Sequence, residues 1–164
     1  LRKGFPETYD LAALAVALAS VRTGPTRFPN YSHLTYDVDP QGGEIIDRPQ
    51  VLIVEGLALG LDRPPKPGLI DCLIYVDAPE ALIEAWFVER FLGLWQAARG
   101  DPSSFYARFL DLDLNSVTRL AGGVWREINL ANLRAHIAPV RALADLIVVK
   151  GEGHRLERLI AADR

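Results

Sequence analysis

Three stretches of the chain are dominated by apolar residues, and each ends on a polar one. They are Val51–Val54 before Glu55-Gly56, Ile70–Val76 before Asp77, and DLIVVK at 145–150. Runs rich in β-branched residues, with little alternation, predict strands buried on both faces, as in a parallel sheet. Helical stretches lie between them. Leu11 to Arg22 is mostly Ala, Leu and Val, with Thr8 or Asp10 placed to cap it and Gly24-Pro25 to end it. Ala78-Pro79-Glu80 opens a second helix that runs to about Arg99. DPSSFYARFLDLD (101–113) reads as a short aromatic helix. Asn115 or Ser116 caps a long helical region through Arg134, weakened at Gly122-Gly123 and kinked or restarted at Pro139.

The region before the first apolar run has a different period. Thr26 to Asn30 reads as loop, and Tyr31 to Val38 alternates as a strand. Asp39 to Gly43 reads as a turn and Glu44 to Asp47 as the returning strand, so a hairpin is expected. Arg63 to Gly68 is a proline-rich surface loop, and the charged last residues are expected to fray. The order strand, Glu, crossover, strand, Asp, helix is that of a βαβ architecture. The expectation is therefore one α/β domain over residues 1–164 with a mainly parallel sheet.

Composition narrows this only a little. Apolar residues make up 49% and charged residues 24%, as in an ordinary globular protein. A net charge of −3 gives no electrostatic reason to expect nucleic-acid binding. No apolar run approaches the roughly 18 residues of a membrane helix. Cys72 is the only cysteine, which precludes an internal disulfide and fits a reducing cytoplasm; within an apolar pattern it reads as packing. The chain has no methionine and opens on Leu1-Arg2-Lys3, so an N-terminal part is expected to precede it.

Several residues could carry chemistry. Glu55 stands at the carboxyl end of an expected strand, where open α/β sheets gather ligands, and can hold magnesium directly or through water. The alternative is a helix cap or a surface ion pair. Tyr31, His33, Tyr36 and Asp37 cluster on the expected hairpin, as a polar pocket lining or a solvated edge. Arg90 lies among Trp86, Phe87, Phe91 and Leu94, either snorkelling or aimed at an anion such as phosphate. Phe105, Tyr106 and Phe109 form either an apolar lid or a satellite cluster. Asn129 and Asn132, poor helix formers, face either a ligand or water. Gly-x-x-x-x-Gly-Lys-Ser/Thr, Gly-x-Ser-x-Gly and clustered metal ligands do not occur.

Taken in order, RKGFPETYD (2–10), YSHLTYDV (31–38), VLIVEGL (51–57), YVDAPE (75–80), W-x-x-x-RFL (86–92), W-x-EIN with NL (125–133) and Pro-x-Arg (139–141) resemble the bacterial type I pantothenate kinases. These are P-loop kinases related to uridine kinase and phosphoribulokinase. The resemblance implies a three-layer P-loop kinase fold, incomplete at the N-terminus because the phosphate-cradling loop and the Asp that activates the substrate hydroxyl lie upstream of RKGFP. It implies transfer of the ATP γ-phosphoryl to pantothenate, with Mg2+, in the first step of coenzyme A synthesis. Coenzyme A is implied as a feedback inhibitor, and a cytoplasmic homodimer as the setting. Without the phosphate cradle, these residues alone are expected to be inactive. By position, Tyr31, His33 and Tyr36 match residues lining the pocket for pantothenate and coenzyme A, and Arg90 matches a basic residue near both the transferring phosphoryl and the substrate. Asn129 matches a hydrogen-bonding partner of pantothenate. Phe91, Phe105, Tyr106 and Phe109 match an aromatic wall, Glu55 an acid near the metal, and His154 the border of the adenine. The sequence departs from the pattern at Ala58, Phe87 and Leu94 and in a short loop around Pro64. Two further functions remain open: a non-catalytic protein that binds pantothenate or coenzyme A, and a related kinase acting on uridine or another hydroxyl compound.

Overall fold

Asp10 opens the first helix: its carboxylate accepts a hydrogen bond from the Ala13 amide at 2.9 Å, capping α1 (Leu11–Ser20). The structure, a computed structural model, describes residues 4–32, 37–57, 59 and 69–162. It divides into two compact units, Leu1–Asp71 and Cys72–Arg164.

In the first unit α1 leads into an antiparallel pair, β1 (Pro25–Ser32) and β2 (Asp37–Asp47). The hairpin is present, but with other boundaries. Thr26 to Asn30, expected as loop, is strand, because Thr26 and Arg27 pair with Ile46 and Ile45. Asp39 to Gly43, expected as the turn, lies within β2. Its glycines serve an irregularity instead. The register shifts between Phe28 and Asn30, and Gly43 sits at φ +112°, where a Cβ would collide with the Phe28 carbonyl. The expected strand Val51–Val54 is not a strand. It is extended and exposed, with Val51 at 77% and Ile53 at 87%. A strand needs a neighbour for its amides and carbonyls, and among the described residues no strand lies alongside these four. Among the described residues of this unit, Phe5, Leu18 and Val21 are buried.

The second unit holds the α/β arrangement. Its sheet has the order β3 (Ile74–Asp77), β4 (Leu146–Lys150), β5 (Leu156–Ala161). β3 and β4 are parallel, with Asp77 opposite Val149, and β4 and β5 are antiparallel. β5 replaces the fraying end expected from its charge. Its backbone pairs with β4, and Glu157 and Arg158 make it a charged strand. β3 is shorter than expected and leaves Cys72 exposed before it, so Cys72 does not serve packing. Asp145 ties the strand starts together: its carboxylate accepts from the Leu73 amide at 2.7 Å and its own amide donates to the Leu73 carbonyl at 2.8 Å.

The parallel pair is joined by helices. α2 (Glu80–Ala97) follows β3 directly, and Asp113 caps α3 (Leu114–Val124) by accepting from the Ser116 amide at 2.6 Å. Neither Asn115 nor Ser116 is the cap. The same helical path continues through Gly122-Gly123 into two π-helical turns, Trp125–Asn129 and Leu133–Ile137. Phe91 and Trp95 of α2 pack on Val117 and Ala121 of α3, and Val117 is 0% exposed. Each fully buried large apolar side chain stabilises by about 1.5–3 kcal/mol. Two ion pairs stitch distant segments over this core. Arg134 grips Glu80 through both carboxylate oxygens, and Arg141 reaches Asp77 at 2.8 Å. YVDAPE is thereby joined to the segments that contain NL and Pro-x-Arg.

Trp95 also donates its indole N–H to the Phe109 carbonyl at 2.8 Å. Trp95→Phe keeps most of the packing but leaves that carbonyl without its donor, and is expected to cost about 1–3 kcal/mol. Trp95→Ala adds a cavity and is expected to cost about 3–5 kcal/mol. Urea unfolding followed by far-UV circular dichroism measures both, and equal losses would contradict the assignment.

Candidate functional site

The candidate residues divide between the two units. Tyr31 and Glu55 belong to the first, and Arg90, Phe91, Phe105, Tyr106, Phe109, Asn129 and His154 to the second. His33 and Tyr36 lie outside the described residues.

Within the first unit, Tyr31 sits opposite Val38 in the β1–β2 ladder and is partly exposed. Glu55 is exposed on the extended segment. It acts electrostatically on Tyr9, whose hydroxyl is held above its ordinary value of 10.0, first by burial and then by the Glu55 charge. Glu55 thus lies near Tyr9, which comes from the RKGFPETYD stretch. An exposed carboxylate can contribute one oxygen, direct or through water, to a magnesium ion that takes its other ligands from phosphates and solvent. Among the described residues no group of three His, Cys, Asp or Glu side chains could hold an ion by itself.

Within the second unit the aromatic candidates do come together. Phe91 meets Tyr106 edge-on at 5.1 Å between centroids and Phe109 at 6.0 Å. Phe105 meets Tyr106 and Phe109 at 5.5 and 5.9 Å, both edge-on. The short 3-10 helix Phe105–Phe109 makes this possible, with Ser104 accepting from the Tyr106 amide as its cap. Burial divides the set. Phe91 is 7% exposed and part of the core, whereas Phe105, Tyr106 and Phe109 are half-buried. Arg108 lies over the Phe105 ring at 4.1 Å, a contact that no sequence pattern indicated.

Arg90 is exposed on α2, and among the described residues no carboxylate pairs with it. Other arginines of this unit, at 126, 134 and 141, are paired with Glu84, Glu80 and Asp77. A guanidinium without a carboxylate is available to an anionic ligand. Trp86 lies four residues before Arg90, on the same face of the helix. The Trp86 ring stacks on the His154 imidazole, with centroids 4.2 Å apart and planes at 27°. Thus the candidate for the phosphoryl and the candidate for the base are linked through one face of α2. His154 stands just beyond the carboxyl end of β4, and Asp77 ends the neighbouring parallel strand. Ligands of open α/β sheets bind at this end of the strands.

Asn129 closes the first π-helical turn and is half-buried. Such turns recur at functional sites because they re-aim one side chain out of helical register. Its segment runs antiparallel along α2, with Trp125 against Phe87 at 5.8 Å. Asn132 is 4% exposed, on the short helical segment between the two π turns.

No protein-family model matches the chain. Individual curated proteins do. The chain is 44% identical over 169 residues to a pantothenate kinase of Allorhizobium ampelinum, covering 96% of this chain and 51% of that protein. It is 43% identical over 167 residues to a pantothenate kinase of Agrobacterium fabrum, covering 95% and 52%. These relatives are pantothenate kinases. A more distant one, from Haemophilus ducreyi, is 39% identical over 167 residues, covering 95% and 53%. The kinship read from scattered motifs therefore extends through nearly the whole chain, and the chain spans about half the length of the pantothenate kinases that it matches.

Removing the charge of Glu55 tests its placement beside Tyr9. Tyr9 should ionise above the ordinary tyrosine range, and Glu55→Gln should bring it only part of the way back, because burial is the larger cause. The sign for stability follows. A raised tyrosine pKa favours the folded state fully below 10.0, and that advantage is lost as pH rises through the folded value. Ultraviolet titration of the parent and of Tyr9→Phe, each with and without Glu55→Gln, isolates the shift. No change at Tyr9 on removing Glu55 would separate the two side chains.

Proposed function

We propose that this chain is the substrate-binding portion of a pantothenate kinase whose parent transfers the γ-phosphoryl of ATP to the pantothenate hydroxyl. The observation that carries this reading is 39–44% identity to named pantothenate kinases over about 95% of the chain. In this reading the two units belong to one domain of a three-layer P-loop kinase, acting in a cytoplasmic homodimer.

The roles follow from the chemistry of each group. Phosphoryl transfer spreads negative charge over the transferring group, so a cation placed there lowers the barrier. Arg90, with its two-pronged guanidinium, fills that role. Asn129 hydrogen-bonds pantothenate, and Tyr31, His33 and Tyr36 line the polar part of its pocket. Phe105, Tyr106 and Phe109 exclude water along the pantetheine arm of the ligand, with Phe91 supporting them from the core. Glu55 helps to hold the magnesium that arrives with ATP, and that ion neutralises phosphate charge. His154 borders the nucleotide base. Coenzyme A, which shares the pantetheine arm and carries phosphates, competes for the same ground. The 164 residues contain no Gly-x-x-x-x-Gly-Lys-Ser/Thr loop, so they bind pantothenate without turning it over.

Calorimetric titration of the 164-residue chain is expected to show saturable binding of pantothenate and none of uridine. Saturation by uridine alone would replace this reading with that of a different kinase. Arg90→Gln is expected to weaken coenzyme A by about tenfold, ~1.4 kcal/mol, and pantothenate much less, since only coenzyme A brings phosphates to the guanidinium. Equal weakening of both ligands would remove Arg90 from the phosphate.

A further inference from the structure

The turn between β4 and β5 holds His154 in an unusual way. Its backbone is in the left-handed region at φ 60°, following Gly153 at φ 61°. A non-glycine residue rarely adopts this conformation, and it persists only where the surroundings hold it. Two side chains outside the turn do so. Trp86 of α2 stacks on one face of the imidazole at 4.2 Å. Lys150, the last residue of β4, brings Nζ to 3.3 Å from Nδ1, and the same ammonium lies 5.5 Å from the centre of the Trp86 ring. Three elements of the second unit thus meet at one exposed imidazole.

The direction of the Lys150 hydrogen bond sets the form of the ring. An ammonium has donors and no acceptor, so Nδ1 must accept. The imidazole is then neutral, with its proton on Nε2. One ring face is taken by Trp86 and one nitrogen by Lys150. Among the described residues, no aromatic ring lies on the other face and no hydrogen bond engages Nε2. We propose that Trp86 and Lys150 are positioning residues that hold His154 as the Nε2–H tautomer, stacked on one side and presenting its other face and its donor to the nucleotide base. This rests on the reading of His154 as the border of that base. It goes further by naming the two residues that act through the histidine and the tautomer they select. A flat ring held between α2 and the end of β4 loses less freedom when a base stacks on it than a free histidine on a turn would.

Heteronuclear NMR of the histidine rings in the complete 164-residue chain tests the device separately from its use. His154 ring protons are expected upfield of ordinary values, through the ring current of Trp86, with Nδ1 unprotonated and Nε2 protonated. Trp86→Leu should abolish the upfield shift, and Trp86→Phe should restore part of it, which a general loss of folding could not do. Lys150→Met should keep the upfield shift while the ring relaxes from nearly pure Nε2–H to the tautomer mixture of a free neutral imidazole, with a measurable Nδ1–H share. Ordinary ring shifts in the parent, or Nδ1 protonation, would overturn the proposed holding. Adenosine, which needs no phosphate cradle, is then titrated into the parent and Lys150→Met. His154 is expected to respond in the parent, with at least severalfold weaker affinity in the variant. If the ring signature is present but adenosine leaves His154 unmoved, the holding stands and its assignment to a nucleotide base falls. If both bind adenosine equally, Lys150 is not a positioning residue.

Discussion

The contact between α2 and α3 is the constraint from which the second unit is built. Phe91 and Trp95 reach across to Val117 and Ala121, and the small alanine lets the aromatic rings close over it. This packing fixes the rotation of α2, and the rotation decides what its other faces carry. With Phe91 and Trp95 inward, Trp86 and Arg90 lie on a face that reaches the end of β4. Tertiary packing, more than helix propensity, thus selects which side chains of a largely apolar helix remain available for chemistry.

Charge is distributed on the same scaffold with a clear division. Arg134 and Arg141 are occupied by Glu80 and Asp77, in exposed or half-exposed pairs that bind the start of α2 and the end of β3 to a distant part of the chain. Glu80 is held below its ordinary range by the Arg134 hydrogen bond. Exposed pairs of this kind add little to stability, so their main effect is on register and orientation. Arg90 and Arg108 are not occupied in that way. Among the described residues neither has a carboxylate partner: Arg90 is exposed on α2 and Arg108 lies over the Phe105 ring, so both are able to meet an anion.

Where sequence and structure part, the missing information is mostly about neighbours. DLIVVK and Val51–Val54 look alike as sequence. The first is a central strand because β3 and β5 flank it, while the second is extended and exposed because no described strand pairs with it. β5 was hidden by its charges, since ladder hydrogen bonds use backbone groups that composition does not display. The hairpin was visible as a pair of strands, but Gly42-Gly43 suited both a turn and a bulge, and the register placed them in the bulge. Asp113 was missed as a cap because Asn115 and Ser116 are equally good capping residues, and only geometry ranks them.

The sequence alone determined the kinship, the α/β alternation, the span of α2 to within a turn, and the residue types fit for phosphate and for an apolar ligand arm. These depend on local periodicity and on the order of motifs, both of which are written along the chain. Only the tertiary structure decided that Phe91 belongs to the core while Phe105, Tyr106 and Phe109 stand at its edge. It also joined Trp86 and Lys150 to His154, although 68 positions separate Trp86 from His154 along the chain. Such partnerships arise when helices and strands pack, and no spacing rule connects residues that meet through the fold rather than through the backbone.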